Sequence, residues 1–281
     1  MDYLVTTDWL AKEIGASDLR VVDATKFLPD MNRDARAEYE AGHIPTAIFM
    51  DLADLVDSSA AIENSLPPPE KFASRMQSLG LGDGSRIVLY DDSPLKSAAR
   101  AWFMLTLFGA HDVAILDGGL AKWKTEGRDL ETGVSAQRRR HFTLWADLKN
   151  VRSKADMLAN LASQSEQIVD ARPAARFSGD EAEPRPGMAA GHIPGSRNLP
   201  HGQLFNADGT WKQGDILRAA FEQAGVDLRR PLITSCGSGM TAAVLLFGAR
   251  LLGKSDVALY DGSWAEWGMD ADTPKELGEA R

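Results

Sequence analysis

The chain repeats itself, and a repeat constrains the fold before any single residue is weighed. Val21-Val22-Asp23-Ala24 returns as Ile168-Val169-Asp170-Ala171, and Gly42-His43-Ile44-Pro45 returns as Gly191-His192-Ile193-Pro194. Arg86-Ile87-Val88-Leu89-Tyr90 matches Pro231-Leu232-Ile233-Thr234-Ser235, and Asp117-Gly118-Gly119 with Trp123 matches Asp261-Gly262-Ser263 with Trp267. The offsets of 147, 149, 145 and 144 residues keep one order and differ only by loop-sized insertions. They predict a duplicated domain, the first copy over residues 1–134 and the second over 150–281, joined by a polar connector at 135–149. A length of 281 residues suits two domains, each able to bury its own core.

Within each copy, short β-branched runs alternate with longer apolar stretches. Val21-Val22-Asp23, Ile87-Val88-Leu89-Tyr90 and Val113-Ala114-Ile115-Leu116 read as buried parallel strands. Residues 97–108 and 241–252 have helical length with Gly109 and Gly253 as stops, and Ser153 with Asp156 predicts a capped helix running to about Ala162. Strands separated by helices imply an α/β protein: two tandem domains, each a mainly parallel sheet flanked by helices.

Hydrophobic residues at 44% and charged residues at 25% match ordinary soluble globular chains. No apolar run reaches the roughly 18 residues of a spanning helix. The start Met1-Asp2-Tyr3-Leu4-Val5 lacks a secretory pattern, so the expectation is a cytoplasmic protein without a membrane partner. A net charge of −9 argues against a nucleic-acid partner, although local donors can still bind a small anion. The one cysteine, Cys236, excludes an internal disulfide and fits a reducing compartment. One cysteine and scattered histidines offer no metal-ligand spacing, and no metal or cofactor is expected.

A motif kept in both copies serves the fold that both must adopt; a difference points to function. His43 and His192 recur in matching turns, so each is read as tying down a loop backbone. The Asp-Gly pairs with their tryptophans are read as turn plus core aromatic. Cys236 passes the filter, because the first copy has Asp91 there, followed by Asp92-Ser93-Pro94. A free cysteine is usually a buried core thiol. This one stands at the carboxyl end of a strand, and Gly237-Ser238-Gly239-Met240-Thr241 leads into a helix, which is where ligands bind in an open α/β sheet. Glycines let successive N–H groups converge, and the helix N-terminus adds partial positive charge, making an anion cradle. A sulfur at its centre is expected to be held as thiolate, in the roughly 3.5–7.5 range of activated thiols, and to react at neutral pH.

Cys236-Gly237-Ser238-Gly239-Met240-Thr241-Ala242 resembles the active-site loop of the two-domain rhodanese-type sulfurtransferases, above all the 3-mercaptopyruvate sulfurtransferases, which usually have valine where Met240 stands. The resemblance extends over both Gly-His-Ile-Pro turns, both Asp-Gly motifs, and Arg176-Phe177-Ser178-Gly179 through Glu183-Pro184-Arg185. It implies a non-catalytic N-terminal domain, a catalytic C-terminal one, and a ping-pong transfer. In that transfer Cys236 takes sulfur from 3-mercaptopyruvate as a persulfide, pyruvate leaves, and a thiol such as thioredoxin or glutathione, or cyanide, removes the outer sulfur. The amides of residues 237–241 are expected to stabilise both thiolate and persulfide.

The resemblance also assigns further residues. Thiosulfate enzymes of this family place basic side chains after the cysteine, where this chain has Gly237 and Ser238. Arg176 and Arg185 match arginines that hold the keto acid, whose carboxylate and keto oxygen suit a planar fork. Arg176 faces Pro29 in the first copy, whereas Arg185 has a counterpart in Arg36, which leaves a surface ion pair open for it. Arg172 is read as structural. Ser238 and Asp51 match residues assigned to proton transfer at the cysteine, although a small residue at 238 also simply fits the cradle. Asn64 stands where some relatives place a histidine, which puts a histidine relay in doubt. A Cys-loop phosphatase needs a loop-closing arginine six residues after the cysteine, and Ala242 is there. Two rivals stay open: thiosulfate as the preferred donor, and a non-catalytic redox-sensing or persulfide-binding module.

Overall fold

The computed structural model describes residues 1–134 and 137–280; Ser135 and Ala136, at the start of the expected connector, and Arg281 lie outside the described residues. The chain divides into two units. The first holds Met1–Ser58, Leu66–Asp147 and Asn206–Trp211; the second holds Ser59–Ser65, Leu148–Phe205 and everything from Lys212 onward. Each unit thus includes a short piece of the other repeat.

The first unit is built on strands β1 (Leu4–Val5), β2 (Leu19–Asp23), β3 (Ile48–Phe49), β4 (Arg86–Tyr90) and β5 (Val113–Leu116), in the order β1-β5-β4-β2-β3. The second repeats it with β6 (Val151–Arg152), β7 (Gln167–Asp170), β8 (Arg197–Asn198), β9 (Leu232–Ser235) and β10 (Val257–Tyr260), in the order β6-β10-β9-β7-β8. Every pairing between these strands is parallel. All four residues of β5, of β9 and of β10 are buried, as sheets covered on both faces require.

The expected helices form at Ala98–Leu107 and Ala242–Leu251, each apolar nearly all round and buried accordingly. The second packs on β9 and β10. The helix Lys154–Ser163 begins with the capping box: Ser153 Oγ accepts the Asp156 N–H at 3.2 Å, and Asp156 Oδ2 accepts the Ser153 N–H at 2.8 Å.

Both repeated histidines serve the turn. His43 Nδ1 lies 2.7 Å from the Tyr39 carbonyl with its ring stacked on Tyr39, and His192 Nδ1 lies 2.9 Å from the Phe177 carbonyl with its ring stacked on Phe177. Trp123 and Trp267 sit in the two cores. Residues 137–147 of the connector belong to the first unit, and Leu148 and Lys149 to the second; Phe142 is buried edge-on against Phe72, and the N–H groups of Trp145 and Asp147 donate to the Phe108 and Leu107 carbonyls. Among the described residues, no helix is long and apolar enough to cross a membrane.

Candidate active site

In the second sheet the chain leaves β7 for β8 on one side, whereas β9 and β10 lie on the other, so the β7–β9 boundary is the topological switch point where α/β sheets bind ligands. Cys236 follows β9 directly, and the segment after β7 carries Arg172 and Arg176. Cys236 is 1% exposed, and the loop opens outward at the half-buried Gly237 and Ser238. Gly239 takes a positive φ of 75°, which turns the backbone towards the following helix. Among the described residues, the N–H groups of Gly237, Ser238, Met240 and Thr241 have no hydrogen-bond partner. They are donors available to an anion.

The fifth amide of the expected cradle is used otherwise. The Gly239 N–H donates to Ser263 Oγ at 3.1 Å, and the Cys236 N–H donates to the same oxygen at 3.2 Å. The Ser263 hydroxyl donates to the Tyr260 carbonyl at 2.8 Å and lies 4.0 Å from the Cys236 sulfur. The Trp264 and Ala265 N–H groups donate to the carbonyls of Cys236 and Gly237 at 2.9 and 2.8 Å. Reading the second Asp-Gly motif as turn plus core aromatic is therefore incomplete: it also braces the cysteine loop. The signal was available, because Ser263 replaces Gly119 of the first copy.

A buried chain of alternating charges carries Arg176 to the loop. Asp170 and Arg172 pair at 2.7 Å, and Arg172 pairs with Glu183 at 2.6 Å, all three side chains at most 3% exposed. Burial opposes the Arg172 charge, but Asp170 and Glu183 outweigh it and hold the guanidinium above its ordinary value. That guanidinium also lies over the Trp264 ring, 4.6 Å from its centroid. Arg172 is structural, as expected. Glu183 grips Arg176 through Nε and Nη2, leaving Nη1 with no partner among the described residues. Arg176 Nη2 lies 3.4 Å from where a Cβ on Gly237 would stand, so the guanidinium borders the cysteine loop.

The other expected residues fall differently. Ser238 Oγ accepts a hydrogen bond from Asn64 Nδ2 at 3.2 Å, and Asn64 belongs to the second unit. Arg185 pairs with the exposed Glu63 at 2.7 Å, the surface ion pair left open for it. Asp51 is an exposed residue of the first unit whose Oδ1 accepts the Ala53 N–H at 2.9 Å. Among the described residues no group of side chains could hold a metal ion.

The equivalent loop of the first unit is instructive. Asp91 is buried, and its two carboxylate oxygens accept the N–H groups of Ser93 and Ala98 at 3.0 and 2.8 Å. Burial pushes its carboxyl up, with Lys96 pulling the other way. The Leu120 N–H docks on the Asp91 carbonyl at 3.2 Å, as Trp264 docks on Cys236. The first loop thus encloses its own hydrogen-bond acceptor.

Sheet order, switch-point loop and duplication together define a tandem α/β protein with a cysteine-bearing loop at the switch point of its second sheet. The sequence pattern of the rhodanese-like domain matches residues 6–126 and again 153–270, and the chain belongs to the rhodanese-like family. It is 42% identical over 275 residues to the 3-mercaptopyruvate sulfurtransferase of Escherichia coli K12, covering 98% of each chain. It is also 39% identical over 271 residues to the thiosulfate sulfurtransferase of Cricetulus griseus, covering 94% of this chain and 91% of that one. The crystal structure of the E. coli 3-mercaptopyruvate sulfotransferase SseA superposes with a TM-score of 0.86 at 39% identity, over 94% of this chain and 99% of that one.

Proposed function

We propose that this chain is a sulfurtransferase that takes sulfur from 3-mercaptopyruvate, with Cys236 as the nucleophile and sulfur carrier. The Cys236 thiolate attacks the donor's sulfur, the carbon–sulfur bond breaks, and pyruvate leaves as its enolate, which is protonated at carbon. Cys236 keeps the transferred atom as a persulfide. An acceptor thiol such as thioredoxin or glutathione, or cyanide, then attacks the outer sulfur and restores the thiolate. Each step exchanges one sulfur bond for another, so no external oxidant or reductant enters. A lone cysteine that must stay free for this cycle suits a reducing, cytoplasmic setting.

The observation that carries the reading is the Arg176 guanidinium beside an uncharged loop. With Nε and Nη2 held by Glu183, Nη1 offers its two protons to a carboxylate and keto oxygen, and the chain behind it fixes their direction. A compact dianion such as thiosulfate gains less from one arginine set to the side than from cations on the loop itself. Arg185 joins by leaving Glu63, at the small cost of an exposed ion pair, about 0–1 kcal/mol. Ser238 is assigned the proton exchanged at the cysteine, since Asn64 donates to its oxygen and directs its hydroxyl hydrogen elsewhere. Asp51 is the further candidate for proton transfer. The first domain, with Asp91 in place of the cysteine, is non-catalytic.

The test compares pyruvate release from 3-mercaptopyruvate with turnover of thiosulfate, and follows the intact mass of the protein after donor treatment. Preference for 3-mercaptopyruvate and a gain of one sulfur atom, both lost in Cys236→Ser, are expected. Arg176→Ala is expected to reduce turnover far more than it slows alkylation of Cys236 by a neutral reagent. Faster turnover of thiosulfate refutes the donor assignment, and absence of added sulfur leaves only a redox-sensing role.

A further inference from the structure

We infer that Ser263 is a positioning residue for sulfur transfer: its hydroxyl braces the cysteine loop from outside, at amides other than those that the side chain at the loop's first position holds in the other domain, and so leaves the Cys236 sulfur free to react. The inference rests on the reading of Cys236 as the sulfur carrier.

In the first domain the loop is closed from within, because Asp91 accepts the Ser93 and Ala98 N–H groups with its own carboxylate. A residue so engaged is an internal strut. The sulfur of a carrier cannot serve that way, because its lone pairs must be open to the donor and then to the acceptor. A brace for the loop must come from elsewhere, and in the second domain it acts on other amides. Ser263 supplies it: one fully buried oxygen takes the N–H groups of Cys236 and Gly239 and passes its own proton to the Tyr260 carbonyl. Those three bonds use the hydroxyl's donor and both lone pairs.

The backbone at Ser263 points the same way. Its φ is +49°, a left-handed conformation that an L side chain enters at a cost of about 1 kcal/mol or more. The first domain puts Gly119 there, with φ +59°, and a Cβ on it would stand 2.5 Å from the Asp91 carbonyl oxygen. Glycine is thus the relaxed choice for this turn, and the second domain departs from it at the one place where a hydroxyl reaches the cysteine loop. Two bonds hold the loop at Cys236 and Gly239 and leave the Gly237, Ser238, Met240 and Thr241 amides uncommitted.

Two substitutions separate the hydroxyl from the backbone. Ser263→Ala removes the oxygen and keeps the strained conformation, whereas Ser263→Gly removes the oxygen and relieves the strain, restoring the first domain's residue. Both are expected to slow single-turnover sulfur uptake from 3-mercaptopyruvate by at least about tenfold, as befits two buried N–H groups left unpaired. Both are also expected to move the pH profile of Cys236 alkylation by iodoacetamide to higher pH, while Ser263→Gly melts no lower than Ser263→Ala. An unchanged alkylation profile in either variant overturns the inference. So do changes of opposite sign in the two, which would make the position a matter of backbone strain alone. Failure of the wild-type protein to take up sulfur refutes the sulfur-carrier reading instead, and the alkylation profiles then still decide whether Ser263 governs the thiol.

Discussion

Asp23 ends β2 with its side chain buried, its Oδ1 accepting the Thr25 N–H at 2.9 Å. In the second domain the same turn is made by Asp170, but there the residue two places on is Arg172, which neutralises the carboxylate; in the first domain that place holds Thr25. Burial pushes the Asp23 carboxyl up from 3.8 to about 6, against the hydrogen bonds of Thr25 and Tyr90, with nearby Asp91 adding to the rise. The folded state therefore holds this proton more tightly than the unfolded one. The contribution of this group to stability is full below the unfolded value and is lost as pH rises from 3.8 through about 6. That rise corresponds to ~3 kcal/mol. Asp23→Asn keeps an oxygen for the Thr25 N–H and has no charge to bury, so it should gain on the wild type by up to ~3 kcal/mol at neutral pH and by little near pH 4. Urea unfolding of both proteins across that range, followed by tryptophan fluorescence, measures the gap. A difference that stays constant with pH, or that widens towards acid, refutes the reasoning.

Two further substitutions probe the second domain. Glu183→Gln leaves Arg172 and Arg176 short of a buried partner, so a loss of about 3 kcal/mol in unfolding free energy is expected, and steady-state kinetics should show KM for 3-mercaptopyruvate rising more than kcat falls. Asn64→Ala removes a neutral hydrogen bond to Ser238 and should lower kcat/KM by about two- to tenfold, while Asn64→His should add to the pH–rate profile a limb near about 6.5 that the wild type lacks.

The sheets were legible where strands were long. β4 and β5 are uninterrupted apolar runs, and the sequence marks both, whereas β1, β3, β6 and β8 have two residues each, too few for any periodicity to appear. Comparing the repeats isolated Cys236, because a sulfur facing a carboxylate is a change of chemistry. The same comparison passed over Ser263, since the shared Asp-Gly and tryptophan drew the motif towards the fold, although serine against glycine is itself a difference between the copies. Glu183 was out of reach for another reason. It meets Arg172 eleven residues away and Arg176 seven away, across the short helix Ala174–Ser178 and the loop after it, and no local spacing encodes that meeting. Asn64 was read only against a histidine of other chains; its contact with Ser238 depends on residues Ser59–Ser65 joining the second unit, which repeat offsets do not reveal.

One substitution at the end of a strand links these observations. An aspartate after the first long strand of each domain accepts the N–H two residues on, so both copies need it for the turn. With Thr25 beyond it the carboxyl is buried without a cation beside it and holds its proton more tightly than in the unfolded chain. With Arg172 beyond it the carboxylate becomes the first member of a series, Asp170, Arg172, Glu183, Arg176, in which each inner charge is satisfied by its neighbours and only the last cation is partly open, at 22% exposed. Such a series costs less than its members would alone, because no inner charge is left unpaired. It also has little freedom to reorient, since its inner members are packed and bonded on several sides. The arginine at its end is therefore fixed in direction beside the loop of Cys236.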